Sequence, residues 1–164
     1  MRGALFALFT FLLAAVPAAA SETFAKRVEL LKAERQLLLI GPDDEVLRRY
    51  DVALGGAPEG HKQREGDQRT PEGHYVIDWR NPNSAYHLSL HISYPNAEDR
   101  RRAASKGEEP GGMIMIHGLA DGMEWIGPLH RMWDWTDGCV AVTNSEIEEI
   151  WSLVRNGTPI HIMP

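Results

Sequence analysis

The sequence predicts a mainly β fold, a β-rich sandwich or barrel-like sheet with a few short helices, on three observations. Short apolar runs rich in Val, Ile, Leu and Tyr are separated by turn clusters of Gly, Pro, Asn and Asp. The run 86–94 alternates with the two-residue period of a strand, placing Tyr86, Leu88, Leu90, Ile92 and Tyr94 on one face. The regular strand–helix alternation of a parallel α/β protein is missing, and 15 glycines with 10 prolines in 164 residues supply many turns.

Taken in order, residues 1–20 read as a signal peptide. Arg2 is the positive end, 4–16 is apolar apart from Thr10, and Ala18, Ala19 and Ala20 are the small residues a signal peptidase accepts. The apolar run is too short for a bilayer-spanning helix, so the mature chain is expected to carry no stable membrane insertion. Residues 21–35 read as a lead-in and 36–164 as one catalytic-sized domain. Runs 36–40 and 46–54, joined by Gly41-Pro42-Asp43-Asp44, form a hairpin. A Gly-rich loop over 55–73 closes on Thr70-Pro71-Glu72-Gly73, and 74–79 reads as the next strand.

In the alternating run, His87, Ser89, His91 and Ser93 share the face opposite the core. It reads as solvent-facing, with the floor of a cleft as the alternative. Residues 96–107 read as a charged surface helix capped by Asn96. A short strand over 113–117 ends at Gly118. Thr143 and Glu146 then make the S/T-x-x-E capping box of a helix whose Ile147, Ile150, Trp151 and Val154 form one apolar stripe. Residues 159–163 read as a closing strand.

The formal net charge of -6 and pI near 5.6 argue against nucleic acid, since the one basic cluster, Arg100-Arg101-Arg102, sits beside Glu98 and Asp99. An exported chain meets an oxidising compartment, yet Cys139 is the single cysteine and has no internal partner for a disulfide. It reads either as a small buried hydrophobe or as a thiol kept unpaired for use. A thiol nucleophile needs a base and N–H donors aimed at the developing oxyanion. Gly138 gives the turn before Cys139 open backbone, and His117 ends a strand immediately before Gly118. His117 and Cys139 stand 22 positions apart, so they meet only if the fold returns the chain to one place.

His117-Gly118 followed by Thr136-x-Gly138-Cys139-Val140 resembles the catalytic domain of the L,D-transpeptidases, the YkuD-type family, whose signature is a histidine before a small residue and then S/T-H-G-C-V/I-R. Thr70-Pro71-Glu72-Gly73-His74-Tyr75 resembles the same family's T-P-x-G-x-Y/F turn, so the likeness runs through most of 36–164. The resemblance implies Cys139 as nucleophile, His117 as general base and later acid, Gly138 as shaper of the oxyanion turn and Thr136 as the residue steadying that loop. It also implies an enzyme without cofactor or metal, and the secretory start points to export into the periplasm. Its substrate would be peptidoglycan stem peptides, its intermediate a thioester, and its acceptor a second stem, a lysine of a wall-attached lipoprotein, or water. Gly118 and Arg131 are further substrate-side candidates, Arg131 because a guanidinium pairs bidentately with a carboxylate. Two positions depart from the pattern: Asp137 stands where the family has a second histidine and Ala141 where it has an arginine.

Rival readings remain on the sequence alone. A hydrolase of the same fold would cut a wall attachment instead of making one. A zinc site would draw on His117, Cys139 and His130 or His91, although no usual ligand spacing is present. A non-catalytic wall-binding module would use Trp125, Trp133 and Trp135 to stack on sugars. Asp134 or Asp137 is a candidate orienter of His117, with a backbone carbonyl as the alternative. His61, His74 and His161 receive no role.

Overall fold

The computed structural model describes residues 23–164; the expected signal peptide lies outside them. Eight strands form one mixed sheet: β1 (Arg27–Leu31), β2 (Gln36–Ile40), β3 (Val46–Asp51), β4 (Gly73–Ser84), β5 (His87–Ile92), β6 (Met115–His117), β7 (Val140–Ala141) and β8 (Thr158–Met163), in the order β3-β2-β1-β8-β4-β5-β6-β7. Two helices accompany them, α1 (Ala97–Ala104) and α2 (Asn144–Leu153), with a 3-10 segment at Glu124–Met132. The sheet's ends meet: directly after β3, Ala53 exchanges both backbone hydrogen bonds, 3.0 and 2.9 Å, with Ala141 of β7. Joining the edges removes open strand ends and gives the barrel-like closure expected from the sequence.

The lead-in expected over 21–35 contains β1, which lies between β2 and β8 with Val28 and Leu30 fully buried. Val28 and Leu30 against Arg27 and Glu29 already show the period of a strand, but the run is so short that its pattern is weak. The β2–β3 hairpin pairs antiparallel as expected. β4 runs further than 79, through an irregular, register-shifted stretch against β5.

Asn96 caps α1, accepting from the Glu98 and Asp99 N–H groups, and Asp99 returns the bond to the Asn96 N–H. Asp99 is buried and also accepts from the Tyr75 hydroxyl at 2.9 Å. His61, given no role by the sequence, joins this cluster: its Nε2 lies 3.0 Å from Asp99 and its Nδ1 3.0 Å from the Glu72 backbone. It therefore ties the Gly-rich loop to α1. His74 and His161, partners across β4 and β8, stack at 3.9 Å.

Glu146 closes the α2 capping box by accepting from the Thr143 N–H and hydroxyl. Ile147, Ile150 and Val154 are fully buried where α2 packs on β5 and β6, each such side chain contributing about 1.5–3 kcal/mol of transfer free energy. Trp151, expected in that stripe, is only partly buried, with the Arg80 guanidinium 4.2 Å over its ring.

Candidate active site

The two residues singled out for chemistry lie on neighbouring strands. β6 and β7 pair in parallel, Ile116 opposite Val140 and His117 opposite Ala141, so Cys139 arrives one step earlier, opposite Met115. Both line a cleft of about 240 Å³ with Tyr86, Ser89, Trp135 and Asp137.

The His117 ring is held from all sides. Its Nδ1 sits 2.6 Å from the Gly118 carbonyl, which only accepts, so Nδ1 carries the proton and Nε2 is the nitrogen with a lone pair for the cleft. Tyr86 lies against the ring at 4.5 Å and Trp135 meets it edge-on at 5.9 Å. Burial pushes the imidazole below its ordinary value, with the Gly118 bond partly opposing that. Neither carboxylate considered from the sequence orients this ring. Asp134 instead accepts from the Arg35 fork, at 3.0 and 2.8 Å, and from the Leu54 N–H at 2.8 Å. Asp137 is exposed at the cleft.

The Cys139 Sγ accepts from the Met115 N–H at 3.4 Å and donates to the Met113 carbonyl at 3.6 Å. Burial raises the thiol above its ordinary value, the Met115 N–H opposes this, and the Asp137 charge adds to it. Both shifts favour the neutral forms of the thiol and the imidazole.

The turn before Cys139 is stitched to two other loops. Thr136 Oγ1 accepts from the Gly138 N–H at 3.1 Å and donates to the Cys139 carbonyl at 2.8 Å. The Thr136 N–H donates to Leu54 O, and Gly56 N–H donates to Thr136 O. Gly138 has φ +124, and a Cβ there would stand 2.5 Å from the Arg69 carbonyl. Its N–H is taken by Thr136, so what Gly138 gives the turn is its shape.

Gly118 stands behind the site. A side chain there would meet Asn144 Oδ1 at 2.7 Å, and its backbone holds His117 and bonds Tyr86. Arg131 is turned to Glu146 of the α2 cap and is absent from the cleft lining, so its charge is spent inside the fold.

Ser89 and Tyr86 both stand at the cleft. Of the two readings of its face, solvent-facing or the floor of a cleft, Ser89 fits the second: it is 2% exposed, lines the cleft and stands opposite His117 in the β5–β6 register. His91, on that same face, is covered by Trp79 at 4.8 Å and bonded to Asp78 at 2.6 Å. Tyr86 was assigned to the core and instead is 39% exposed beside His117. Only the pairing of β5 with β6 shows these placements, and strand periodicity carries no information about partners. Among the described residues no group of three His, Cys, Asp or Glu side chains is placed to hold a metal ion, so the scattered zinc set is not gathered.

Comparison with known proteins agrees with this geometry. A family model described as the L,D-transpeptidase catalytic domain, YkuD, matches residues 25–162. The protein named "Putative L,D-transpeptidase YafK" from Escherichia coli (strain K12) is 34% identical over 133 residues, covering 77% of this chain and 46% of its own length. Among solved structures, the helical cell shape determining protein Pgp2 from Campylobacter jejuni superposes with a TM-score of 0.61 at 25% identity, over 82% of this chain and 46% of that one. Bd1075 of Bdellovibrio bacteriovorus gives 0.58 at 26% identity, over 88% and 50%. An L,D-transpeptidase from Mycobacterium smegmatis, 13% identical with a TM-score of 0.55 over 87% and 59%, shares the fold. The chain spans about half the length of the curated relatives it matches.

Proposed function

Since the chain belongs to the YkuD family of L,D-transpeptidase catalytic domains, we propose that it is an exported, cysteine-dependent enzyme acting on the tetrapeptide stems of peptidoglycan. The observation that carries this reading is the pairing of β6 with β7, which puts Cys139 and an Nδ1-anchored His117 in one cleft.

In the proposed reaction His117 Nε2 takes the Cys139 proton as Sγ attacks the carbonyl on the L-centre of the third-position diamino acid. The C–S bond forms and the C–N bond to the terminal D-Ala breaks, its nitrogen receiving the proton from His117. The thioester keeps the acyl group activated while one amine leaves and another enters. An acceptor amine then attacks, His117 takes its proton, and the thiol is restored. A second stem as acceptor gives a 3-3 cross-link, a lipoprotein lysine gives an attachment, and water gives a shortened stem or, run on an existing attachment, its release.

The name of the Pgp2 relative fits a role in wall shape. The leader-like 1–20 supports placement in the periplasm of a Gram-negative cell. The test is chromatography with mass detection of tetrapeptide muropeptides incubated with the protein, beside Cys139→Ala and His117→Ala. Release of D-Ala with 3-3 dimers by the unaltered protein alone is expected. Tripeptide alone would make it a carboxypeptidase, and intact substrate throughout would overturn the tetrapeptide-donor reading.

A further inference from the structure

A second, apolar pocket of about 200 Å³ adjoins the cleft, and Trp135 forms a wall of both. Its other sides are Leu119, Ala120, Met123, Ile126, His130 and Trp133. Cavities of roughly 150 Å³ with apolar walls take up a benzene ring, so the space suits one ring. No charged side chain lines it. Arg131, next in sequence, is tied to Glu146, which leaves nothing for an anion.

His130 gives this pocket its chemical character. The residue is 3% exposed, and among the described residues neither ring nitrogen has a hydrogen-bond partner; the Trp135 indole N–H has none either. These atoms are sealed from solvent, and a buried polar atom without a partner is costly, so a ligand atom that pairs one on rotation of the ring is rewarded. Burial holds His130 down to about 4, hence neutral at ordinary pH, with one nitrogen donating and one accepting.

We propose that this pocket is a subsite for an uncharged aromatic group with one hydrogen-bonding atom, carried on the amine side of the substrate. The side follows from the proton path: His117 must reach the substrate nitrogen, and what hangs from that nitrogen continues past His117 onto Trp135, 5.9 Å away. The ring seats among Met123, Ile126 and Trp133, and its polar atom meets His130. This assignment to the amine side rests on the proposed thioester reaction; the pocket's preference for a ring does not.

The test titrates the protein with p-cresol and with toluene while nuclear magnetic resonance follows the Trp135 indole N–H and the His130 ring. The expected result is shifts at both, with p-cresol bound about fivefold more tightly, the size of one added hydrogen bond. His130→Phe should erase that preference, and Ala120→Phe, which fills the pocket, should abolish binding of both. No shifts with either probe, or equal affinities, would overturn the subsite. In parallel, stems whose amine-side residue carries a phenol ring or only a methyl are compared as substrates. A severalfold lower KM for the ring, lost in Ala120→Phe, is expected. Turnover without that preference would overturn the assignment to the amine side, while probe binding without any turnover would overturn the thioester reading and leave the pocket standing.

Discussion

The turn that delivers Cys139 and the segment 119–133 on the far side of Trp135 solve opposite problems. The turn is saturated: Thr136, Gly138, Leu54, Asp134 and Arg35 use one another's donors and acceptors, and even the space for a methyl on Gly138 is taken by the Arg69 carbonyl. The other segment leaves Trp125 79% and Met132 75% exposed while burying an unpartnered His130. A site for bond making needs its atoms fixed to fractions of an ångström, whereas apolar surface that water only covers is free to meet a partner. Trp135 is the boundary between the two, touching His117 on one side and His130 on the other.

The contrast is broken most severely at the chemistry itself. Cys139→Ala and His117→Ala should each lower stem turnover by about three orders of magnitude or more; Cys139→Ala should leave the melting temperature close to that of the parent, while His117→Ala, which empties a packed buried site, should lower it by several degrees. Next comes the turn. Gly138→Ala forces a side chain into φ +124 against Arg69 and should cost about 2–4 kcal/mol in denaturant unfolding, along with most activity. Asp134→Ala strands the Arg35 fork and the Leu54 N–H and should cost about 2–3 kcal/mol by the same measurement.

On the other side of Trp135 the effects are smaller and depend on pH. His130 in the folded chain titrates near 4, below its ordinary 6.5, so between those values the unfolded chain holds a proton that the folded chain refuses. Stability is full above about pH 6.5 and falls as pH drops toward 4. His130→Phe should shallow that fall by about 1–2 kcal/mol in thermal melts across the window, with His117, shifted in the same direction, keeping some of the slope. Asp137→Asn should have the least effect. It removes a charge that raises the Cys139 thiol, so the pH profile of thiol alkylation should move to slightly lower pH with little change in stability.

How far the sequence reveals these two regions differs for a physical reason. Residues whose role is written in local pattern are legible: the Thr143–Glu146 cap, the Asn96 cap, the β2–β3 hairpin and the Gly138–Cys139 turn all follow from neighbouring residue types. β1 escapes because two buried residues make too short a period, though it lies inside the sheet. Periodicity leaves Ser89 between solvent and a cleft floor and puts Tyr86 in the core, because their place at the cleft is set by pairing with a strand reached only after α1. Asp134 shows the same limit: adjacency to the signature made it a candidate partner for His117, while its actual partner, Arg35, lies 99 residues earlier. His130 stands out in the sequence only as a candidate zinc ligand, since nothing local announces that a histidine will be buried without partners.

The central claim, that acyl transfer passes through Cys139, is tested most directly by intact-protein mass spectrometry after mixing the protein with a purified tetrapeptide stem. The account predicts a covalent adduct equal to the stem less its D-Ala, mapped to Cys139 by peptide digestion and missing in Cys139→Ala. Release of D-Ala by the Cys139→Ala protein at the parent's rate, with no adduct on either, would contradict it.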